Sequence, residues 1–119
     1  MSKQQDKVMM NKVNEKLAAL SPQHEPFYLV FSTLVGENIK TIFPRLKEHT
    51  EYLKALNDDG KLLFAGPLQT TAGELTGDGL YTLKVDNLTE AMQIVEADPF
   101  HKEGIRKAEV LVWQSKVKF

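Results

Sequence analysis

Hydrophobic residues recur along the chain at strand-like and helix-like spacings, and together they predict one α+β domain. Phe27–Leu34 is dense in aromatic and β-branched residues, which is typical of a strand. The pattern next predicts a helix over residues 44–57, a strand over 61–68 that Gly66 and Pro67 interrupt, a strand over 80–85, a helix over 88–97 and a strand over 106–114. This order of elements is that of the ferredoxin-like βαββαβ fold.

Two stretches lie outside this regular order. Within residues 1–22, four apolar residues follow helical steps: Met9, Val13, Leu17 and Leu20. They predict an amphipathic N-terminal helix ahead of the domain of residues 27–119. We expect this helix to pack within its own dimer, and docking of a partner protein is the alternative. Residues 69–78 hold three threonines and two glycines, which favours a mobile loop or a long hairpin connection.

The predicted strands are apolar on both faces. Residues 27–31, 62–65 and 110–113 are nearly continuous apolar runs, whereas a sheet with one solvated face alternates apolar and polar residues. The two helices of this fold cover only one face of the sheet, so the other face needs a second cover. We therefore predict a homodimer that packs sheet against sheet, as in a dimeric α/β-barrel.

Two ionisable residues, His49 and Asp98, occupy positions where helical periodicity expects apolar side chains. His49 shares a helix face with three leucines, and Asp98 ends the apolar stripe of the second helix. Burial of either group alone costs several kcal/mol unless it is paired or neutralised. Because the two helices run antiparallel in this fold, the start of the first lies near the end of the second. We expect the imidazole and the carboxylate to meet.

Composition narrows the classes of function. The 119 residues fit one domain, and the net charge of −1 disfavours nucleic acid and anionic membranes as partners. No run approaches the roughly 20 apolar residues of a membrane span, and the N-terminus lacks the apolar core of a signal peptide. The chain has no cysteine, so it has no thiolate nucleophile and suits a reducing compartment. We expect a cytoplasmic protein.

Four sequence blocks resemble the YCII-related (YciI-like) domain family over about residues 27–119. The blocks are Leu46-Lys47-Glu48-His49-Thr50-Glu51-Tyr52-Leu53, Gly60-Lys61-Leu62-Leu63-Phe64-Ala65-Gly66-Pro67, Leu88-Thr89-Glu90-Ala91, and Ala97-Asp98-Pro99-Phe100 with Gly104. The resemblance implies a dimeric ferredoxin-like α/β-barrel and an active centre of one histidine and one aspartate, which match His49 and Asp98. It also implies kinship with a dehydrochlorinase of a chlorinated hydroxyquinol and with muconolactone isomerases.

Acid–base catalysis without a cofactor is the chemistry expected of such a pair. A neutral imidazole is a suitable base near neutral pH, and a carboxylate on its other nitrogen fixes the tautomer and stabilises the imidazolium. We expect an enzyme of lyase or isomerase type that acts on a small cyclic or aromatic substrate. The alternatives are a non-catalytic small-molecule-binding protein that keeps the pocket but performs no chemistry, and an accessory protein whose N-terminal helix docks a partner. For His49 alone, the alternative is a core histidine whose ring is hydrogen-bonded to a backbone carbonyl.

Three further residues are candidate substrate-binding groups. Arg45 stands one helical turn before His49, and Gly66 with Pro67 forms either a bend that admits substrate to the sheet or a kink that ends the strand. His101 and Glu103 follow Asp98 closely enough to imitate a metal site. Three donors in one loop are common by chance, so we expect no metal.

Overall fold

The computed structural model describes residues 8–13, 15–16 and 26–114. Residues 8–13 and 15–16 are helical, within the stretch where the amphipathic helix is predicted, while Leu17 and Leu20 of its apolar stripe lie outside the described residues. Phe27–Trp113 forms a compact unit of its own. Within the described ranges, no helix is long and apolar enough to cross a membrane.

The unit Phe27–Trp113 is a four-stranded antiparallel sheet with helices. Its strands are β1 (Phe27–Leu34), β2 (Leu62–Gln69), β3 (Leu75–Leu83) and β4 (Arg106–Trp113). Its α-helices are α1 (Leu46–Asp58), α2 (Leu88–Ala97) and the one-turn α3 (Pro99–Lys102). The strand order is β2-β3-β1-β4, and each neighbouring pair is antiparallel. This topology confirms the predicted ferredoxin-like fold.

The first helical region begins earlier than predicted and in a different form. A 3-10 helix over Ile39–Arg45 precedes α1, so Pro44 lies inside this tighter helix and α1 begins only at Leu46. Asn38 starts the 3-10 helix because its side chain accepts a hydrogen bond from the Lys40 N–H at 3.1 Å. The prediction rested on the proline and overlooked this cap.

The second strand runs through Gly66 and Pro67, so the predicted interruption was wrong. Pro67 is tolerated because β2 is an edge strand, where a missing N–H removes no bond to an outer neighbour. β3 begins at Leu75 rather than at residue 80, which leaves only residues 70–74 as the connection. A hydrogen bond of 2.8 Å from the Thr70 N–H to the Glu74 carbonyl closes this hairpin, and Gly73 makes the turn at φ 87°.

The core lies between the sheet and the helices. Its buried hydrophobic residues are Tyr28, Val30, Leu56, Leu62, Tyr81, Leu83, Ala91, Ile94 and Val95. The Tyr52 hydroxyl donates a 2.6 Å hydrogen bond to the Ile94 carbonyl and so joins α1 to α2. The start of α1 is thereby held beside the end of α2, where the candidate pair lies.

The opposite face of the sheet carries large apolar residues that are open to solvent in the single chain. Phe64 is 77% exposed, Trp113 is 50% exposed and Leu111 is 44% exposed. On β1 the residues that alternate with the buried Tyr28 and Val30 are only half-buried. A contiguous apolar face of this kind is typical of an interface. The homodimer itself stays a prediction.

Candidate active site

His49 and Asp98 meet where the three α-helices converge. His49 lies near the start of α1, and Asp98 lies between the end of α2 and the start of α3. The distance from His49 Nδ1 to Asp98 Oδ1 is 2.8 Å, which is that of a hydrogen bond. Both side chains are buried, and Asp98 has no exposed surface. The antiparallel helices thus bring the two predicted residues together.

The Asp98 carboxylate accepts hydrogen bonds on both oxygens. Oδ1 accepts from His49 and from the Phe100 N–H at 2.9 Å, so Asp98 also caps α3, and Oδ2 lies 3.4 Å from the Tyr81 hydroxyl. Burial alone raises the pKa of Asp98, but the hydrogen bond and charge of His49, the Phe100 N–H and the charge of His101 hold that pKa below its ordinary value. Asp98 is therefore ionised at neutral pH.

The ionised carboxylate sets the orientation of the His49 ring. A carboxylate only accepts, so a neutral His49 carries its proton on Nδ1 and its lone pair on Nε2. The Phe100 ring stacks on the imidazole, with centroids 4.0 Å apart and planes 15° apart. Within residues 26–114, no group hydrogen-bonds Nε2 and no buried side-chain nitrogen or oxygen lacks a partner, so Nε2 is reached by solvent.

A cavity of about 530 Å³ lies beside His49. Most of its lining is apolar and includes Ile42, Phe43, Leu46, Leu53, Leu62, Leu63, Leu75, Leu80 and Phe100. The candidate residues Gly66 and Pro67 also line it, on strand β2. Apolar walls with a few polar groups are typical of a binding site for a small molecule.

Arg45 lies outside the lining of this cavity. Its guanidinium is 3.4 Å from the Glu48 carboxylate and 3.8 Å from the Glu103 carboxylate, in a partly exposed cluster of charges. The structure therefore does not bring Arg45 together with His49 and Asp98.

Two polar residues of the cavity, Tyr81 and Arg106, were missed by the sequence reasoning. Burial and the charge of Asp98 raise the pKa of Tyr81, so its hydroxyl stays protonated and can donate to Asp98. Arg106 is 6% exposed, and its Nε donates a 2.9 Å hydrogen bond to the Gly77 carbonyl. In the sequence, both are strand residues with no distinctive spacing. Only the residues that the fold places around them indicate a role in the site.

His101 is the second histidine near Asp98, and both of its ring nitrogens are engaged. Nδ1 donates to the Val95 carbonyl at 2.7 Å, which leaves Nε2 to accept from the Ser32 hydroxyl at 2.7 Å. In contrast to His49, this ring has no nitrogen available to a ligand. Among the residues described, no three histidine, cysteine, aspartate or glutamate side chains are grouped so that they could hold a metal ion.

The observed fold is a ferredoxin-like α+β domain, and its candidate site is a buried histidine–aspartate pair beside an apolar cavity. The chain belongs to the YCII-related domain family, which matches residues 27–114. The family resemblance of the four sequence blocks is thus confirmed. No match was found among curated proteins.

Among solved structures, the chain is similar to 5-chloro-2-hydroxyhydroquinone dehydrochlorinase (TftG) from Burkholderia phenoliruptrix AC1100, solved in complex with 2,5-dihydroxybenzoquinone. The sequences are 21% identical, and the match covers 74% of this chain and 93% of that one with a TM-score of 0.62. At this identity the likeness supports the fold.

Proposed function

We propose that this protein is a cofactor-independent acid–base enzyme of lyase or isomerase type, with His49 as the proton acceptor and Asp98 as its orienting partner. The observation that carries the proposal is the fixed direction of the imidazole. Its Nδ1 is bound to a buried carboxylate, and its Nε2 is free in the part of the chain that the structure describes. A positioned base of this kind is the element that proton abstraction requires.

The proton transfers follow from this orientation. Nε2 takes a proton from a hydroxyl or an activated carbon of the substrate, and His49 becomes an imidazolium that Asp98 stabilises. The electron pair left on the substrate forms a new double bond while a leaving group departs with its own bonding pair, which completes an elimination. In an isomerisation, the Nε2 proton instead returns to a different substrate atom, and nothing is lost.

The cavity suits a small ring. Its apolar walls bury a planar hydrocarbon surface, and the missing side chain of Gly66 allows a ring to approach strand β2 closely. TftG was solved with 2,5-dihydroxybenzoquinone, a six-membered ring with oxygen substituents. We extend that class of ligand, a small oxygenated ring, to this protein as part of the proposal.

We also propose that the working form is a homodimer joined through the open sheet face. The exposed Phe64, Leu111 and Trp113 support this arrangement, because a second copy removes their apolar surface from water. Complete burial of an exposed side chain contributes roughly 1.5–3 kcal/mol, and these side chains are 44–77% exposed, so each can gain about half of that or somewhat more.

Turnover of 5-chloro-2-hydroxyhydroquinone, followed as released chloride, tests the proposed function. We expect His49→Gln to fold and to lower kcat/KM by about 10²- to 10⁴-fold, the usual contribution of a general base. Glu51→Gln is the matched control, because Glu51 is exposed on the same helix. A second assay follows deuterium exchange from D₂O into ring positions of hydroquinone-type compounds, which detects proton abstraction without a leaving group.

Two outcomes would contradict the enzyme and favour a binding protein. One is full activity of His49→Gln in either assay. The other is tight binding of 2,5-dihydroxybenzoquinone by both forms with neither chloride release nor exchange.

A further inference from the structure

Arg106 is a buried cation that no carboxylate contacts directly in the described part of the chain. It is 6% exposed, and its Nε–H is bound to the Gly77 carbonyl at 2.9 Å. Among residues 26–114, no carboxylate oxygen lies within 4.0 Å of its guanidinium. Buried charges in folded proteins are normally paired. The charges of Asp98 and Asp78 act on Arg106 from a longer distance. The guanidinium itself has no carboxylate in contact and stays available to a ligand.

The terminal nitrogens of Arg106, Nη1 and Nη2, have no hydrogen-bond partner within residues 26–114. Yet within the same residues no buried side-chain nitrogen lacks a partner. Both nitrogens therefore keep contact with solvent, and Arg106 is one of the residues that line the cavity. A guanidinium presents its N–H groups in one plane, which suits an oxyanion.

Strand β3 provides the space that the guanidinium fills. A Cβ atom at Gly79 would lie 2.7 Å from Arg106 Nη1, so a larger residue there would displace the charge. Gly77, at φ 87°, supplies the carbonyl that holds Nε. The guanidinium carbon also lies 4.6 Å from the centroid of the Phe100 ring, within the range of a cation–π contact. Arg106 is thus held in place before any ligand arrives.

Arg106 and His49 contact the same aromatic ring. The imidazole centroid is 4.0 Å from the Phe100 centroid, and the Arg106 guanidinium carbon is 4.6 Å from it. Both residues line the one cavity. A ligand that fills this cavity can therefore contact both side chains.

Building on the proposed function, we propose that Arg106 is the anion-recognition residue of this site and that it selects small ring compounds that carry an ionised oxygen. A phenolate, an enolate and a ring carboxylate share this chemistry. The guanidinium also stabilises the negative charge that develops when His49 removes a proton from a ring hydroxyl. Arg106 therefore contributes both to binding and to the barrier of the reaction.

Calorimetric titration of the full chain with matched probes tests this assignment. The anionic probes are 2,5-dihydroxybenzoquinone, for an ionised ring oxygen, and benzoate, for a carboxylate. Hydroquinone and benzamide are their uncharged counterparts. We expect Arg106→Gln to weaken binding of at least one anion by about tenfold to 100-fold, as for loss of a hydrogen bond to a charged group, and to change binding of the uncharged probes less than threefold. Lys47→Gln, an exposed charge loss on α1, should leave all four affinities unchanged.

Gly79→Ala serves as a second variant that keeps the charge but displaces it. We expect this variant to weaken anion binding as well, and circular dichroism of each variant verifies that the domain is folded. If Arg106→Gln folds and binds both anions as tightly as the wild type, or if neither anion binds the wild type at millimolar concentration, the assignment is overturned. Loss of affinity in Arg45→Gln but not in Arg106→Gln would overturn it too, in favour of Arg45.

The same titrations separate this inference from the proposed function. His49→Gln should lower kcat/KM by about 10²- to 10⁴-fold, whereas the selective loss of anion affinity should follow Arg106→Gln. A protein that binds anions through Arg106 but turns over no substrate supports the inference and contradicts the enzyme. If turnover depends on His49 but anion affinity does not change in Arg106→Gln, the result supports the enzyme and contradicts the inference.

Discussion

Replacement of Asp98 by Asn tests how much the buried carboxylate stabilises the domain. The Asn side chain keeps an acceptor oxygen for His49 Nδ1–H and the Phe100 N–H, which lie 2.8 and 2.9 Å from Oδ1, but it removes the charge. Charge-assisted hydrogen bonds are roughly twice as strong as neutral ones, so each bond should lose about 1 kcal/mol. We therefore expect a loss of about 2 kcal/mol, which shifts Tm by on the order of 10 °C in a domain of this size.

The pH dependence of this loss has a definite sign. The native pKa of Asp98 is lowered, because His49, Phe100 and His101 together outweigh the cost of burial. A carboxyl with a lowered native pKa contributes stability above its unfolded pKa of about 3.9, and that contribution disappears as pH falls through the native value. The difference between wild type and Asp98→Asn should thus be complete at neutral pH and shrink below about pH 4.

Urea unfolding followed by circular dichroism at several pH values measures this difference. Asp58→Asn is the control, because Asp58 is an exposed carboxylate at the end of α1 and should change stability by less than about 0.5 kcal/mol. Two results would refute the reasoning. The first is an Asn variant as stable as the wild type at neutral pH, which means that desolvation of the carboxylate cancels its hydrogen bonds. The second is a stability difference that stays constant down to acid pH.

Two further predictions concern the strand glycines and the open sheet face. Gly77→Ala should destabilise the domain by about 1–3 kcal/mol in urea unfolding, because φ is 87° there and the new Cβ would lie 2.8 Å from Leu34 Cδ2. Gly66→Ala, which meets nothing within 4 Å, is its control, and equal effects would contradict the strain argument. Leu111→Lys should convert the proposed homodimer to a monomer in light scattering at micromolar concentration, whereas a wild type that is already monomeric would exclude the dimer.

The backbone order and the His49–Asp98 pair could be predicted because both depend on local pattern and general topology. Hydrophobic periodicity indicated the strands and helices, and the start of α2 is set locally because the Asn87 side chain accepts a hydrogen bond from the Glu90 N–H at 2.8 Å. His49 and Asp98 lie on apolar faces of antiparallel helices, so they either meet or stay buried without a partner, which is costly. The ends of elements were less accurate, since the Asn38 cap and the edge position of β2 depend on context that periodicity does not express.

Arg45 and Arg106 show why the arginine that lines the cavity could not be chosen from the sequence. Arg45 stands near His49 in the chain, but α1 begins only after it, and Glu48 and Glu103 attract its guanidinium away from the cavity. Arg106 is the first residue of β4 and lies far from His49 in the chain. It reaches the cavity because Gly79 on another strand leaves room for its guanidinium and the Gly77 carbonyl accepts a hydrogen bond from its Nε. The only indication in the sequence was the close spacing of Gly77 and Gly79, and such spacing is equally typical of a turn.

Phe100 links the predicted pair, His49 and Asp98, to Arg106, which the sequence did not predict. Its N–H binds Asp98, its ring stacks on His49, and the guanidinium of Arg106 lies over the same ring, which has no exposed surface. Helix α3 is a single turn, too short to be stable alone, so the Asp98 cap and the burial of Phe100 must hold it. The residue that orients the base therefore also fixes the ring that supports the cation. In this arrangement the proposed base and the proposed anion-binding residue share one structural support.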